Sequence, residues 1–340
     1  MKKIWEYDFG YAFFRPYIEW AVRNSYSKIT VKGLENLPDP KEVSTIITPN
    51  HCNTLMDSLV VLQSRKEPMS FVARADIFKN PFFARILHNL RILPIYRRRD
   101  CENTQEKNVA IFDAVVDSLN NGMAFSIHPE GTHRTRRSLL PIKKGVFRIA
   151  QQAAGSNPDR PVVIIPAGIE YDDYFNLMRP VTLTYGKPIS IEGGEDLDEL
   201  AELLHDRMAE LITYFPDDSH LDEAEAAFYA SRRPHFSKRH YAAAAALLPI
   251  FVLTGFLCSP MLLATALISR KLKDKAWLNT LRFACKLALT PFTVAGAAIA
   301  GFIHLSWPLA IAFAVLTAYS HPIFYRILIF YKRLLTFSTL

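Results

Sequence analysis

Short apolar runs alternate with longer helical segments between residues 43 and 185. The short runs are rich in β-branched residues and predict strands at 43–48, 69–73, 93–96, 123–128, 162–169 and 181–185. The longer segments predict helices at 57–63, 81–90, 109–119 and 145–154. This alternation is typical of an α/β fold, in which helices flank a mostly parallel central sheet.

The C-terminal third has a different pattern, with almost no charged residues at 241–269 and 283–329. Each stretch exceeds the roughly 20 residues that span a bilayer, which predicts an all-helical membrane region at 231–340. Breaks at Cys258-Ser259-Pro260 and Ser306-Trp307-Pro308 predict two helical hairpins, the first re-entrant because its second arm is short. Hairpins leave the basic flanks on the cytoplasmic side. The alternative is a soluble domain of buried helices.

Residues 1–27 combine many aromatic side chains with scattered charges. The charges interrupt any apolar core, so the segment does not fit a cleavable signal peptide. The mixture predicts an amphipathic helix in the headgroup region of a membrane, and the alternative is a helix packed against its own domain. The predicted organisation is therefore an interfacial helix at 1–27, an α/β domain at 28–230 and membrane hairpins at 231–340.

Composition narrows the class of partner. The formal charge of +7 indicates an anionic partner, which is nucleic acid, an anionic bilayer or a phosphorylated substrate. Half of the residues are hydrophobic, and this excess favours the bilayer. Basic residues flank apolar segments rather than alternating with aromatic ones, so nucleic acid is not an expected partner. The four cysteines form no CxxC pair and the ten histidines no HxxxH or HExxH motif, so no metal site is expected. The chain has no GxxxxGK phosphate loop.

His51 and Asp57 follow directly after the first predicted strand. Six residues do not place two side chains on one helical face, so their approach requires a bend. A turn at Pro49-Asn50, with a helix that begins near Asn53, would let Asp57 reach back to His51. The pair is then a candidate general base with an orienting carboxylate, and the alternative is a structural hydrogen bond.

Further candidate residues follow two other predicted strands. Glu130, Gly131 and Arg134 come after strand 123–128, and Arg97 opens a run of three arginines after strand 93–96. The carboxyl ends of parallel strands meet at one edge of a sheet, where α/β proteins bind ligands. Arginine binds phosphate and a histidine near neutral pKa can deprotonate a hydroxyl, so these residues indicate a site for a phosphorylated alcohol.

Four blocks resemble the glycerolipid acyltransferase superfamily, in particular the 1-acylglycerol-3-phosphate acyltransferases (PlsC-like). The HxxxxD motif runs from His51 to Asp57, and the other blocks are Pro94-Ile95-Tyr96-Arg97, Pro129-Glu130-Gly131-Thr132 and Ile165-Pro166. They occur in the family's order over residues 31–187. Residues 140–150 also resemble the stretch that follows the third block. This sequence departs from the family at His133, where arginine is usual, and at His128, where an aromatic residue is usual.

The resemblance implies direct acyl transfer without an acyl-enzyme. His51 would deprotonate the acceptor hydroxyl and then protonate the leaving thiolate, while Asp57 fixes the tautomer of His51. Arg97 would bind the acceptor phosphate, and Glu130 and Gly131 would position the glycerol backbone. The remaining substrate-binding candidates within or beside these blocks are Asn53, Thr132, Arg134 and Pro166.

The implied function is O-acyl transfer from acyl-CoA or acyl carrier protein to lysophosphatidate, which forms phosphatidate in phospholipid biosynthesis. No cofactor is expected beyond the acyl donor. The expected location is the membrane, with the catalytic domain on the cytoplasmic face. One alternative is the same reaction on glycerol 3-phosphate or another lysolipid, and a second is a non-catalytic membrane protein that binds lipid or acts as a scaffold.

Overall fold

The computed structural model describes residues 3–6, 8–96 and 103–337. The strands are β1 (Ile29–Lys32), β2 (Ser44–Pro49), β3 (Met69–Arg74), β4 (Ile92–Ile95), β5 (Ala124–Ser126), β6 (Val162–Tyr171), β7 (Val181–Tyr185) and β8 (Ile189–Ile191). The helices are α1 (Phe9–Arg23), α2 (Leu55–Ser64), α3 (Pro81–Asn89), α4 (Thr104–Asn120), α5 (Gly145–Ser156), α6 (Leu197–Ala209), α7 (Leu221–Ser231), α8 (Lys238–Leu257), α9 (Ser259–Ser269), α10 (Leu278–His304) and α11 (Trp307–Phe337).

The strands form one sheet in the order β1-β7-β6-β2-β5-β3-β4, and β8 pairs with β6 outside this path. The run β6-β2-β5-β3-β4 is parallel, whereas β8 is antiparallel to β6. All six residues of β2 are buried, as expected for a central strand with both faces covered. The predicted mostly parallel α/β fold is therefore confirmed.

The parallel run brings the carboxyl ends of β2, β5, β3 and β4 to one edge. Each predicted strand overlaps an observed one. Helix α2 begins at Leu55, between the start at 57 that the apolar pattern predicted and the start near Asn53 that the approach of Asp57 to His51 required. The pattern did not predict β1 and β8, which are four and three residues long and too short to show a clear alternation.

Helices and sheet share one apolar core. It joins Phe125 of β5 and Ile46 of β2 to Leu119 of α4, Phe147 of α5 and Leu204 of α6, all of them buried. Burying side chains of this size contributes roughly 1.5–3 kcal/mol each, so the core fixes α4 and α5 on the sheet beside its carboxyl edge.

The described part of the chain divides into two compact units. The first takes residues from 1–19, 30–170 and 182–216, and contains nearly all of the sheet. The second takes residues from 20–29, 171–181 and 217–340. The units interleave along the chain, whereas the boundaries predicted at 27 and 230 are sequential, and those boundaries remain a prediction.

The second unit contains the apolar helices. Three helical segments are long and apolar enough to cross a membrane, namely Lys238–Leu257, Lys275–His304 and Trp307–Phe337. The helices are interrupted at Cys258, between α8 and α9, and at Leu305-Ser306, between α10 and α11. These are the places where hairpin turns were predicted. Helix α9 has only 11 residues and is too short to span a bilayer, in keeping with the predicted short second arm.

Helix α1 presents an aromatic surface. Phe9, Phe13 and Phe14 are 74%, 66% and 54% exposed, while Tyr11 and Ile18 are buried. Three large exposed phenylalanines at this spacing lie on one side of the helix. The helix therefore packs against the protein on one side and leaves an apolar side uncovered, which combines features of both interpretations of residues 1–27.

Candidate active site

A sharp turn follows β2 and places the candidate base. The Asn50 side chain forms two hydrogen bonds with the backbone of Ile169 in β6, at 3.1 Å and 2.6 Å, so the turn is fixed to the neighbouring strand. Thr54 has φ +49°, an unusual value for a residue other than glycine, and α2 begins immediately after it. This turn puts Asp57 in the first turn of α2 with its carboxylate directed back toward His51.

Asp57 fixes the ring of His51. The two side chains are joined by a 2.8 Å hydrogen bond between His51 Nδ1 and Asp57 Oδ2. The backbone N–H groups of Cys52 and Asn53 donate to the same oxygen at 2.9 Å and 2.7 Å. Burial opposes ionisation of Asp57, but the hydrogen bond and charge of His51 hold the Asp57 pKa below its usual value. An ionised carboxylate can only accept, so Nδ1 carries the proton and Nε2 is the basic nitrogen.

Glu130 supports the backbone of His51. The carboxylate is buried and accepts hydrogen bonds from His51 N at 2.7 Å and Leu140 N at 2.8 Å. Burial raises the pKa of Glu130 to about 7, against the lowering effect of those two backbone N–H groups. Its role as a contact to the glycerol backbone remains a prediction. The geometry gives Glu130 a positioning role, because both of its oxygens already bind the protein backbone.

The loop after β5 holds the same turn from the other side. Arg134 N donates to His51 O at 2.9 Å, and Thr135 Oγ1 donates to Cys52 O at 3.1 Å. Together with Glu130, these contacts pair the N–H and the C=O of His51. The loop therefore fixes the main chain on which the candidate base is carried, and Thr135 is a positioning residue that the sequence analysis did not identify.

A second imidazole stacks on His51. The ring of His128 lies parallel to that of His51, with centroids 4.0 Å apart and an interplanar angle of 12°. His128 Nδ1 is 3.1 Å from Pro49 O and 3.2 Å from Asn50 O, so it must donate a proton to them. Nε2 then accepts from Ser58 Oγ at 3.0 Å. Burial and the charge of His51 lower the pKa of His128 to about 3, so this ring is neutral at neutral pH.

His133 and Cys52 are two further side chains close to the candidate base. The ring of His133 meets that of His51 edge-on, with centroids 5.7 Å apart. The Cys52 thiol is buried, and burial together with the charge of Asp57 raises its pKa well above the ordinary value. A protonated thiol is a poor nucleophile, so the site favours base catalysis by His51 over a covalent intermediate on Cys52.

A cavity of about 670 Å³ opens at the carboxyl edge of the sheet beside His51. Its apolar wall includes Val109, Phe112 and Ile127. Arg74, Lys143 and Arg148 also line it, whereas no carboxylate does among the residues that the structure describes. The cavity therefore offers an apolar surface and excess positive charge next to a basic nitrogen, which suits a molecule with both an alkyl chain and an anionic group.

The other predicted residues occupy different positions around this cavity. Gly131 lines it and has φ +71°, a conformation that favours glycine. Thr132 is exposed and Asn53 is buried in the turn. Pro166 lies inside β6 opposite Thr48, is buried there and is not one of the residues that line the cavity.

The predicted acceptor-phosphate residue Arg97 lies outside the described residues. Conversely, the cavity wall includes Lys143 and Arg148, which the sequence analysis did not single out although they lie in the stretch 140–150. Charge alone could not identify them in a chain with 40 lysines and arginines. Their significance depends on α5 starting at this cavity.

The known proteins that are similar to this chain include several acyltransferases. Residues 28–170 match the family model described as Acyltransferase. A segment of 86 residues, 25% of this chain, is 36% identical to glycerol-3-phosphate O-acyltransferase 2 of Saccharomyces cerevisiae and spans 12% of that protein. A segment of 190 residues, 55% of this chain, is 25% identical to 1-acyl-sn-glycerol-3-phosphate acyltransferase of Cocos nucifera and spans 57% of it. The matched segments thus cover less than two thirds of either relative.

One solved structure is also similar. The crystal structure of the 1-acyl-sn-glycerophosphate (LPA) acyltransferase PlsC from Thermotoga maritima matches with a TM-score of 0.41 and 20% sequence identity. The match covers 67% of this chain and 83% of that one.

Proposed function

We propose that this chain is a PlsC-like glycerolipid acyltransferase that transfers an acyl group from an acyl thioester to the hydroxyl of lysophosphatidate. The match of residues 28–170 to the Acyltransferase family model and the similarity to 1-acyl-sn-glycerol-3-phosphate acyltransferase of Cocos nucifera support this proposal. The product would be phosphatidate. The observation that carries the proposal is the buried, ionised Asp57 on Nδ1 of His51, which makes Nε2 a base at a cavity that is both apolar and cationic.

In this reaction His51 Nε2 removes the proton of the acceptor hydroxyl as its oxygen attacks the thioester carbonyl carbon. The tetrahedral intermediate collapses, the carbon–sulfur bond breaks, and the imidazolium returns its proton to the leaving thiolate. Asp57 stabilises the imidazolium in between. The neutral His128 adds no second positive charge beside that imidazolium. General acid–base catalysis of this kind contributes roughly 10²–10⁴-fold to a rate.

The acyl donor in this proposal is acyl-CoA or acyl carrier protein, with no metal or other cofactor. The membrane supplies the lipid acceptor, and three helices of spanning length are consistent with a membrane location. The catalytic domain would face the cytoplasm, because basic residues flank the apolar segments at Arg232, Arg233, Arg270 and Lys271.

A second candidate is acyl transfer to glycerol 3-phosphate. It is supported by the 36% identity to a glycerol-3-phosphate O-acyltransferase, over a segment that is shorter than the match to the Cocos nucifera protein. Both acceptors carry a phosphate and a free hydroxyl, so the His51 chemistry is the same for either. Acceptor specificity therefore needs a direct measurement.

The test uses the full chain purified in detergent, with an acyl thioester and a panel of lysophosphatidate, glycerol 3-phosphate and other lysolipids. We expect the highest kcat/KM with lysophosphatidate, and a loss of at least about 100-fold in kcat for His51→Ala. His220→Ala is the matched control, because that histidine is exposed. Activity retained by His51→Ala would contradict the mechanism, and a preference for glycerol 3-phosphate would select the second candidate. No transfer to any acceptor would favour the non-catalytic alternative.

A further inference from the structure

Lys143 and Arg148 form a pair of cations at the start of α5. Lys143 lies two residues before the helix and Arg148 lies in its first turn, and both line the cavity that contains His51. Lys143 N donates to Pro129 O at 2.8 Å, which fixes this backbone to the loop after β5. A Cβ atom added at Gly131 would lie 3.3 Å from Lys143 Cγ, so the Lys143 side chain passes directly over Gly131.

These two cations differ from neighbouring ones because they have no anionic partner among the described residues. Arg74, on the same cavity, forms an ion pair with Asp76 at 2.5 Å. Lys144, which is adjacent in sequence, forms an ion pair with Asp198 at 2.6 Å and does not line the cavity. Two unpaired cations that face one cavity without a carboxylate attract an anionic ligand.

The surroundings of the pair also suit an anion. Gly145 and Val146, the first residues of α5, line the same cavity, and the positive end of the helix dipole lies there. Apart from the adjacent residues and the backbone of α5 itself, no atom of the described residues lies within 4 Å of the position that a Cβ on Gly145 would take, so a ligand could approach the backbone closely.

The proposed reaction requires two anions in the same site. Direct transfer without an acyl-enzyme means that acceptor and donor are bound together at His51. The acceptor carries one phosphate, and CoA or the phosphopantetheine of a carrier protein carries at least one more. Two phosphates that are bound at separate positions call for two groups of cations.

We propose that Lys143 and Arg148 bind the phosphate groups of the acyl donor, and that other residues bind the phosphate of the acceptor. This assignment rests on the proposed function, because it supposes that both substrates meet at His51. The apolar residues Val109 and Phe112 on the same cavity would then contact the pantetheine or acyl part of the donor.

Steady-state kinetics of Lys143→Gln and Arg148→Gln test the proposal. Each substitution removes a charge-assisted hydrogen bond to the donor phosphate, so we expect KM for the acyl donor to rise at least about tenfold in each variant. KM for the acceptor should be unchanged, and Lys143→Arg and Arg148→Lys should restore most of the donor affinity. Lys144→Gln removes the same charge one residue away and should leave both KM values unchanged.

Titration of the full chain with CoA itself measures binding without catalysis. We expect weaker CoA binding in Lys143→Gln and Arg148→Gln than in the wild type and Lys144→Gln. Parallel kinetics with acyl carrier protein as donor separate the phosphopantetheine phosphate, which both donors share, from the nucleotide phosphates that only CoA has. An effect with both donors indicates the shared phosphate, and an effect with CoA alone indicates the nucleotide.

Several results would overturn the assignment. If KM rises for the acceptor and not for the donor, the pair binds the acceptor phosphate. If Lys144→Gln has the same effect as Lys143→Gln, only net charge matters. Unchanged binding and kinetics exclude a phosphate site here. Loss of CoA binding in a protein that transfers no acyl group to any acceptor would refute the proposed function and leave the phosphate site supported.

Discussion

The base at His51 depends on hydrogen bonds to its main chain as much as on its partner Asp57. Glu130 and Arg134 pair the N–H and C=O of His51, and Asp57 collects the ring N–H together with two backbone donors. A histidine held in this way cannot flip its ring or change its tautomer without breaking a buried hydrogen bond. Each such bond contributes about 1 kcal/mol, and more where one partner is charged. The site is therefore preorganised in the free protein.

His128 should make the protein less stable in acid. Its folded pKa of about 3, lowered by burial and by the charge of His51, lies below the ordinary value of 6.5, so between these values the unfolded chain binds a proton that the folded chain does not. Stability is then full above pH 6.5 and is lost as the pH falls. We expect His128→Phe, which keeps a stacked ring, to remove of the order of 1 kcal/mol of this loss at pH 5.

The measurement is the change in Tm between pH 8 and pH 5 for the detergent-solubilised wild type and variant. His220→Phe, at an exposed position, serves as the control and should keep the wild-type change. If His128→Phe lost as much stability on acidification as the wild type, His128 would not be the buried neutral imidazole that its contacts indicate.

The loops between secondary-structure elements bring the candidate catalytic side chains and their supporting residues together. The turn between β2 and α2 brings Asp57 to His51, and the loop from β5 to α5 carries Glu130, Thr135 and Lys143 to the same place. Both loops leave strands of one parallel sheet at the same edge, which is why residues distant in sequence meet. Helix α1 contributes no residue to these two loops, and its exposed phenylalanines form an apolar surface.

The exposed side of α1 should enter a bilayer. An environment-sensitive fluorophore on Phe13→Cys should shift its emission to shorter wavelength when the protein is moved into vesicles, because the exposed phenylalanines favour the interface. Glu202→Cys on α6 is the exposed polar control and should show no shift. Cys101 is replaced with serine in both variants so that the label attaches to the introduced cysteine. Cys52, Cys258 and Cys285 are kept because they are buried. If the label at position 13 showed no emission shift in vesicles, as is expected at position 202, the exposed side of α1 would lie in water.

In the whole molecule, the C-terminal helices are connected to distant parts of the chain. Lys286 of α10 is buried and donates to Ala21 O at 2.6 Å, Asn24 O at 3.2 Å and Ser25 Oγ at 2.6 Å. Two of these acceptors, Ala21 O and Asn24 O, are carbonyls at the end of α1, where the last carbonyls have no partner within the helix. Asn279 also donates to Tyr174 O at 2.8 Å. The second unit is thus built from three separate segments of sequence, and the apolar helices are not an independent appendage.

Lys286→Met should destabilise the folded protein. The substitution keeps an unbranched side chain but removes all three hydrogen bonds; Ala21 O keeps a donor in Ser25 Oγ at 2.8 Å, whereas Asn24 O loses the bond from Lys286. An unsatisfied buried polar group costs about 1–3 kcal/mol. We expect Tm to fall by at least about 2 °C in detergent. Lys332→Met, on the exposed side of α11, should leave Tm unchanged. An unaltered Tm for Lys286→Met would show that the bonds to the end of α1 do not contribute to stability.

Periodicity and short motif spacing are local properties, so the residue pattern alone predicted the α/β alternation, the apolar C-terminal helices with their breaks, and the His51–Asp57 pair. The positioning role of Glu130 depends on the folded arrangement, since its two hydrogen-bond donors lie 79 and 10 residues away in the sequence. The stacking of His128 on His51 and the cavity position of Lys143 and Arg148 likewise depend on which strand ends become neighbours. Strand order and burial are non-local, and no residue pattern along the chain specifies them.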